Sequence, residues 1–209
     1  PYGQRPLEYG VDIVMQSSTK SLSGHSDILG GVLTTNNDDL GERIRFMLKA
    51  TGGVPSPFDN WILLRSVKTL SLRYQKSSEN AFKLAQWLSS EYDLKRVIYP
   101  GLDSHPQFEI AKKQQFSPNG KNIFGNMISI DVGRIDLRDK FLEKLKVITL
   151  AESLGGVESL CCVPYDMTHA AVPVENKLKM GITETLIRLS IGIEDFEDLR
   201  EDLQNALAK

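Results

Sequence analysis

The sequence has only two cysteines, Cys161 and Cys162, which are neighbours in the chain. Adjacent cysteines rarely bridge each other, so a disulfide framework is excluded and a reduced, cytoplasmic setting is favoured over secretion. We expect both thiols to be small core residues and predict no metal site. The sequence also shows no signal peptide and no apolar run near the roughly 20 residues that span a bilayer.

Neither sign of charge is in excess. The 209 residues include 25 Lys and Arg against 27 Asp and Glu, which gives a net charge of -2. This balance gives no electrostatic reason to expect nucleic acid or a membrane surface as a partner. Hydrophobic residues make up 41% of the chain, which is enough for a globular core.

Apolar periodicity divides the chain into an α/β portion and an α+β portion. It predicts strands at 11–15, within 28–36, and at 97–99, 127–132 and 186–193. It predicts helices at 38–50, at 58–91 as one long helix or two, at 105–115, around 137–145, and at 196–207. Because a long helix often bridges two domains, we predict a boundary near residue 70, with domains at 1–70 and 71–209.

The stretch "SSTKSLSGH" at 17–25 fits two chemistries. Ser17-x-x-Lys20 has the spacing of a serine nucleophile with a lysine base. That interpretation requires S-D-N and K-T-G partner motifs, and the chain has only "HSDI" at 25–28 and "KTL" at 68–70. The serine-hydrolase interpretation is therefore disfavoured.

The second chemistry makes Lys20 the reactive group, as a lysine that forms a Schiff base. Ser17 and Thr19 are two residues apart, so in an extended backbone their hydroxyls would face the same way and hold a phosphate. Arg188 lies in the apolar stretch "LIRLSIGI", where a carboxylate would satisfy its guanidinium. The alternatives are a solvated Lys20 and an Arg188 that pairs with a structural carboxylate.

Several segments together resemble one family, the Cys/Met-metabolism enzymes that depend on pyridoxal phosphate. They include "DIVMQSSTKSLSGHSDILGGVLTTN", "TLAESLGGVESL", "MTHAAVP" and "ETLIRLSIGIEDFEDL", and they run in family order along the whole chain. The resemblance implies fold type I, the aspartate-aminotransferase-like fold. The chain would be the C-terminal part of its large domain followed by the α+β C-terminal domain.

The resemblance also implies roles for individual residues. Lys20 matches the lysine that binds the cofactor covalently, and Ser17 and Thr19 match contacts to the cofactor phosphate. Arg188 matches the arginine that binds the substrate α-carboxylate, with Ser153 near that carboxylate and near the lysine. Glu152 matches a position that tunes which substrate side chain is accepted.

Members of this family include cystathionine γ-lyase, γ-synthase and β-lyase, and methionine γ-lyase. The pair Glu152-Ser153 in "ESLGG" looks more like the γ-lyases and γ-synthases. We therefore expect a sulfur amino acid as substrate, γ-elimination of cystathionine as the reaction, and a homotetramer for the full-length protein. Ser21, Ser23 and Gln16 depart from residues common in the family.

Family members are about twice as long as this chain. The resemblance implies that an upstream half is missing, with the aspartate that pairs with the pyridine nitrogen, the tyrosine that stacks on the ring, and much of the phosphate cup. The competing hypothesis is a fragment without catalysis that acts as an assembly module.

Overall fold

The computed structural model describes residues 1–208, and these form two sheets flanked by helices. The strands are β1 Val14–Ser17, β2 Gly31–Thr34, β3 Arg96–Ile98, β4 Met127–Asp131, β5 Thr149–Leu150, β6 Leu160–Cys162 and β7 Leu186–Ser190. The helices are α1 Asp38–Thr51, α2 Pro57–Ser66, α3 Leu70–Glu91, α4 Phe108–Gln114, α5 Ile135–Lys144, α6 Val174–Lys179 and α7 Phe196–Leu207.

The larger sheet has the strand order β3-β4-β7-β6-β5. Its first three pairings in that order are antiparallel, and β5 pairs with β6 in parallel. The central strand β7 is covered on both faces, since Ile187 and Leu189 on one face are fully buried, and Leu186 and Ser190 on the other face are also buried, with only Arg188 half-buried. This register places Arg188 between Ser129 of β4 and Cys162 of β6.

The core lies between this sheet and helices α3, α5 and α7. The apolar face predicted for α3 is confirmed, because Ala81, Leu84, Ala85 and Leu88 are all fully buried. Its partners include Ile128 and Ile130 of β4, Ile187 and Leu189 of β7, Phe141 of α5, and Leu199 and Leu203 of α7. Burying side chains of this size supplies most of the favourable free energy of folding.

Helix ends follow the capping chemistry expected from the sequence. Asn37 caps α1 by accepting a hydrogen bond from the Leu40 amide at 2.9 Å, and Gly52 ends the helix in the left-handed conformation. Asp195 accepts a hydrogen bond from the Glu197 amide at 2.9 Å and so caps α7. These local signals fixed both helix starts to within a residue.

The long helical stretch is divided into two α-helices. A short 3₁₀ turn at Val67–Thr69 separates α2 from α3, and α3 begins at Leu70. The domain division near residue 70 stays a prediction. Contacts cross it, since Arg5 donates to the Phe116 carbonyl at 3.1 Å and Tyr9 donates to the Lys113 carbonyl at 3.1 Å.

Two element starts were predicted three residues too early, and three short elements were missed. The strand expected at 11–15 is found at Val14–Ser17, because residues 14–17 are the ones that pair with residues 31–34. The helix expected at 105–115 begins only at Phe108, after successive turns around Pro106, which has no amide hydrogen to donate. The short strands β5 and β6 and helix α6 were not predicted at all.

The Asp131 carboxylate, at the end of β4, is hydrogen-bonded to residues of neighbouring segments of the large sheet. Its side chain is fully buried and accepts hydrogen bonds from Arg96 at 3.0 Å and from Thr185 at 2.6 Å. Burial alone would raise its pKa. The hydrogen bonds from Thr185, the Gly133 amide and Arg96, with the charge of Lys95, outweigh burial and lower the pKa to about 2.

The Asp131→Asn substitution is therefore expected to lower the free energy of unfolding by an amount that depends on pH. The native pKa lies below the unfolded value of 3.8, so the carboxylate contributes stability above pH 4 and loses it as the pH falls towards 2. We expect the wild-type chain to exceed the variant in free energy of unfolding by about 2 kcal/mol at pH 7. Urea titrations between pH 7 and pH 2 check this, and a difference that does not shrink on acidification would contradict it.

Candidate active site

Lys20 lies in a turn that is neither strand nor ordinary α-helix. Residues Ser18–Leu22 form one turn of π-helix, closed by a hydrogen bond of 3.0 Å from the Ser23 amide to the Ser18 carbonyl. Inside it, Lys20 itself has non-helical torsions, with φ -89° and ψ -133°. Single π-helical turns are frequent at functional sites because they displace one side chain from the regular path.

The Lys20 amine meets the loop that joins β5 to β6. Its Nζ donates to the Ser153 Oγ at 3.4 Å, and the side chain is half-buried. The structure thus brings together two residues that are 133 positions apart in the sequence. A half-buried amine at the edge of a cleft is a suitable place for a lysine that acts as a nucleophile.

Gly155 allows this loop to approach the Lys20 turn. Its φ is +78°, and a Cβ there would lie 2.7 Å from the Ser21 Oγ and 2.9 Å from the Ser21 amide nitrogen. The Gly155 amide donates to the Ser190 hydroxyl at 2.8 Å, and the Val157 amide donates to the Gly24 carbonyl at 2.9 Å. Glycine is therefore required at position 155, the first glycine of "ESLGG", because its φ is positive and because a side chain there would collide with Ser21.

A cleft of about 420 Å³ opens beside Lys20. Its wall includes Ser17, Gln16, Lys20, Tyr2 and Tyr74. The residues that line it within the described chain include no Asp or Glu. The cleft can accept a small molecule next to the amine, but it offers no carboxylate to a ring nitrogen.

The extended backbone expected from Ser17 to Thr19 is wrong. Strand β1 ends at Ser17, and the π-helical turn begins at Ser18. Ser17 lines the cleft, whereas the Thr19 Oγ1 accepts a hydrogen bond of 3.0 Å from the Gly30 amide. The two hydroxyls therefore do not lie on one strand face, and contact of either with a phosphate stays a prediction.

Arg188 has a buried nitrogen without an acceptor. Among residues 1–208 its Nη2 has no hydrogen-bond partner, and no ion pair forms there with a carboxylate. Such an unsatisfied buried donor costs about 1–3 kcal/mol, so the arrangement favours an anion that binds there. The alternative of a structural carboxylate partner finds no support in the described chain.

The charges of Arg188 and Glu152 both act on the Cys162 thiol. Burial raises the pKa of the Cys162 thiol; the nearby charge of Arg188 lowers it, and the charge of Glu152 raises it further. Arg188 and Glu152 are therefore each within electrostatic reach of Cys162, and Ser153 is the next residue after Glu152. The loop 152–157 joins the Lys20 amine to the neighbourhood of the guanidinium.

The two thiols behave as the sequence indicated. Cys161 is part of the core cluster, and both cysteines are free and buried. Across residues 1–208 no group of three or more His, Cys, Asp and Glu could hold a metal ion. Within the same residues, no helix has the length and apolar character needed to cross a membrane.

Two residues near Lys20 were missed by the sequence analysis. Tyr74 lines the cleft, packs edge-on against Tyr2, and has a pKa raised by burial. Arg73 donates to the Ser21 carbonyl at 2.9 Å and to the Leu22 carbonyl at 3.1 Å. Both belong to the first two turns of α3, where a polar residue in a helical pattern is usually solvent-exposed, so the sequence carried no distinct signal.

The residues present fit pyridoxal phosphate in part. Lys20 supplies the amine, Ser17 supplies a hydroxyl in the same cleft, and the unsatisfied Arg188 nitrogen calls for an anion such as a substrate carboxylate. The cleft lining includes no acidic residue, and of the two hydroxyls expected at the phosphate only that of Ser17 lines it.

Comparisons with known proteins agree with this geometry. The profile of the family described as "Cys/Met metabolism PLP-dependent enzyme" matches residues 1–208. The chain is 50% identical over 209 residues to a cystathionine gamma-lyase of Dictyostelium discoideum, covering 100% of this chain and 53% of that protein. It is also 50% identical over 210 residues to a cystathionine beta-lyase of Coxiella burnetii, covering 99% and 52%.

Solved structures show the same fold. A cystathionine gamma-lyase from Lactobacillus plantarum complexed with L-serine has a TM-score of 0.92 at 44% identity, covering 99% of this chain and 52% of that one. A cystathionine gamma synthase from Xanthomonas oryzae pv. oryzae has a TM-score of 0.93 at 40% identity, with the same coverage. The chain thus spans about half the length of its relatives and has the fold type I architecture. It belongs to the Cys/Met-metabolism family of enzymes that depend on pyridoxal phosphate.

Proposed function

We propose that this chain carries the lysine and the carboxylate-binding arginine of an enzyme that cleaves cystathionine by γ-elimination, giving cysteine, 2-oxobutanoate and ammonia. The observation that carries the proposal is the Lys20 amine, held 3.4 Å from Ser153 beside a cleft. The names of the relatives support a carbon–sulfur lyase. Because γ-lyases, β-lyases and a γ-synthase all match, γ-replacement, β-elimination and methionine γ-elimination are the competing reactions.

Pyridoxal phosphate, when bound, would supply an electron sink for negative charge at the substrate Cα. Lys20 would hold the cofactor covalently, and its Nζ would act as the general base and acid that moves protons at the substrate. Ser153 accepts a hydrogen bond from Nζ and so keeps the amine at the loop that leads to Glu152. Ser17 and Thr19 contact the phosphate in this proposal.

Arg188 orients the substrate by binding its α-carboxylate. Arg188 belongs to the central strand of the five-stranded sheet, so its backbone is held by hydrogen-bonded strands on both sides. A carboxylate would satisfy the buried Nη2 with a charge-assisted hydrogen bond. Glu152 is exposed next to this site, where its charge selects among substrate side chains.

We propose further that catalysis requires partner polypeptide. Large apolar side chains in the first third of the chain are exposed, among them Met15 at 70%, Leu29 at 82%, Phe46 at 67% and Trp61 at 58%. Helix α1 buries none of its residues, and an isolated two-stranded sheet such as β1–β2 is marginal in water. The remaining half of the family fold and neighbouring subunits of a homotetramer would cover this surface, in the cytoplasm.

The second candidate is a fragment that assembles without catalysing. The cleft without a carboxylate and the exposed apolar surface favour it, because both indicate that the site is incomplete in these 208 residues. In that case the chain would bind the remaining half of the fold without binding the cofactor itself. Cofactor binding by the chain alone separates the two candidates.

Lys20→Ala is expected to abolish specific covalent binding of pyridoxal phosphate. The purified chain is incubated with the cofactor, reduced with borohydride and analysed by peptide mass spectrometry. We expect the adduct on Lys20 in the wild-type chain, because this amine borders the cleft. Lys49→Ala, which removes an exposed amine in α1, should retain the Lys20 adduct. Equal labelling of many lysines, with no loss in Lys20→Ala, would favour the non-catalytic fragment.

The Arg188→Met substitution tests whether Arg188 serves substrate binding or the stability of the fold. In enzyme reconstituted with the remaining half of the fold, KM for the amino-acid substrate should rise at least about tenfold, because a charge-assisted hydrogen bond is lost. The free energy of unfolding of the chain should not fall by more than about 1 kcal/mol, since the guanidinium has no carboxylate partner in the described chain and its unsatisfied nitrogen is removed. A loss above about 2 kcal/mol with unchanged KM would instead indicate a structural arginine.

A further inference from the structure

Arg73 makes four hydrogen bonds that join three segments around Lys20. Its Nε donates to the Thr69 Oγ1 at 3.0 Å, and its Nη2 donates to the Ser66 carbonyl at 3.0 Å. The other two bonds reach the Lys20 turn, from Nη1 to the Ser21 carbonyl at 2.9 Å and from Nη2 to the Leu22 carbonyl at 3.1 Å. The end of α2, the start of α3 and the turn after Lys20 thus share one guanidinium.

The side chain is buried without a counter-charge. Arg73 is 9% exposed, and among residues 1–208 it forms no ion pair. Burial lowers its pKa, and no carboxylate offsets that effect. Placing a cation there is costly unless several acceptors satisfy it, so the four oxygen acceptors are what hold the side chain in place.

Arg73 donates to carbonyls that have no hydrogen-bond donor within the turn itself. The Lys20 carbonyl accepts a hydrogen bond of 2.8 Å from the Gly24 amide, and the next two carbonyls accept from Arg73. At the end of a helical turn, carbonyl oxygens lack partners within the turn itself. Three consecutive carbonyls from Lys20 onward are therefore satisfied, two of them by the arginine.

Gly24 makes room for this contact. A Cβ at position 24 would lie 1.9 Å from the Arg73 Nη1, and the residue has a φ of +75°. Any larger residue would displace the guanidinium as well as strain the backbone. The glycine before His25 is thus explained by the approach of the guanidinium and not by turn formation alone.

We infer that Arg73 is a positioning residue that fixes the turn after Lys20 and thereby holds the Lys20 amine against the Ser153 loop. Two elements contact the turn, the Arg73 guanidinium and the loop that contains Gly155. Without the guanidinium, the Ser21 and Leu22 carbonyls lose their partners and the turn opens to water. The inference rests on the proposed function of Lys20 for its relevance to catalysis, but the contact itself can be tested without cofactor.

The test measures how fast each lysine of the 209-residue chain reacts with acetic anhydride, by mass spectrometry under conditions where circular dichroism shows folded protein. Arg73→Met should raise the Lys20 rate at least about tenfold, because charge-assisted hydrogen bonds are lost and local opening becomes more frequent. Arg73→Lys should fall between the two, since one ammonium cannot replace a guanidinium fork. The rates at other lysines should stay unchanged.

Two further variants separate positioning from general destabilisation. Gly24→Ala keeps Arg73 but displaces its guanidinium, so it should raise the Lys20 rate as Arg73→Met does, even if the latter does not fold. Arg96→Met removes a guanidinium bonded to Asp131 and to the Gly181 carbonyl in the large sheet, and it should leave the Lys20 rate at the wild-type value. A Lys20 rate within about twofold of wild type in folded Arg73→Met or Gly24→Ala would overturn the inference.

Trapping of pyridoxal phosphate by borohydride then relates the contact to function. If wild type is trapped at Lys20, Arg73→Met should be trapped more slowly while Arg96→Met matches wild type; equal trapping in all three would overturn the inference. If wild type is not trapped at Lys20, the non-catalytic fragment is favoured over the proposed function, and the acetylation rates still decide the role of Arg73.

Discussion

The site depends on how one irregular turn is held. The chain leaves strand geometry after Ser17. Lys20 then adopts torsions that no regular helix uses, so its side chain does not follow the path of its neighbours. That conformation is stable because the carbonyls from Lys20 onward have donors and because the Ser153 loop packs against the turn. If the turn relaxed to a regular helix or strand, the amine would lose its contact with Ser153.

Two arginines near the site have opposite surroundings, and the difference distinguishes a structural role from a binding role. Arg73 has four oxygen acceptors from the chain itself, so its hydrogen-bonding capacity is largely used. Arg188 keeps a buried nitrogen without an acceptor, although its backbone lies in the central strand of the sheet, which is hydrogen-bonded on both sides. A rigid cation with unused donors is preorganised for an anion, because little ordering remains to be done on binding.

Sequence patterns predicted much of the fold, and the reasons for the failures are local. The apolar spacing of Ala81, Leu84 and Leu88 identified α3, because helical periodicity needs no tertiary information. Strands β5 and β6 are only two and three residues long, which is too short for a periodic signal. The π-helical turn was missed because its stability comes from Arg73 and Gly155, which lie 53 and 135 positions beyond Lys20.

The site could be located from sequence mainly through family resemblance. Lys20 and Ser153 were named in this way, and the structure brings them into contact. Arg73 could not be found, because its partners are backbone carbonyls, which any residue type provides. The apolar surface around Met15, Leu29 and Trp61 was equally invisible, since exposed and buried apolar residues look alike until the chain is folded.

The most direct measurement is the contact between Lys20 and Ser153 in solution. In isotopically labelled chain, the account predicts nuclear Overhauser effects between the Lys20 ε-methylene protons and the Ser153 β protons, with Ser23 and Gly24 amides protected from exchange by their hydrogen bonds. Absence of the cross-peaks, with Lys20 signals like those of a free lysine and rapid exchange at both amides, would contradict it.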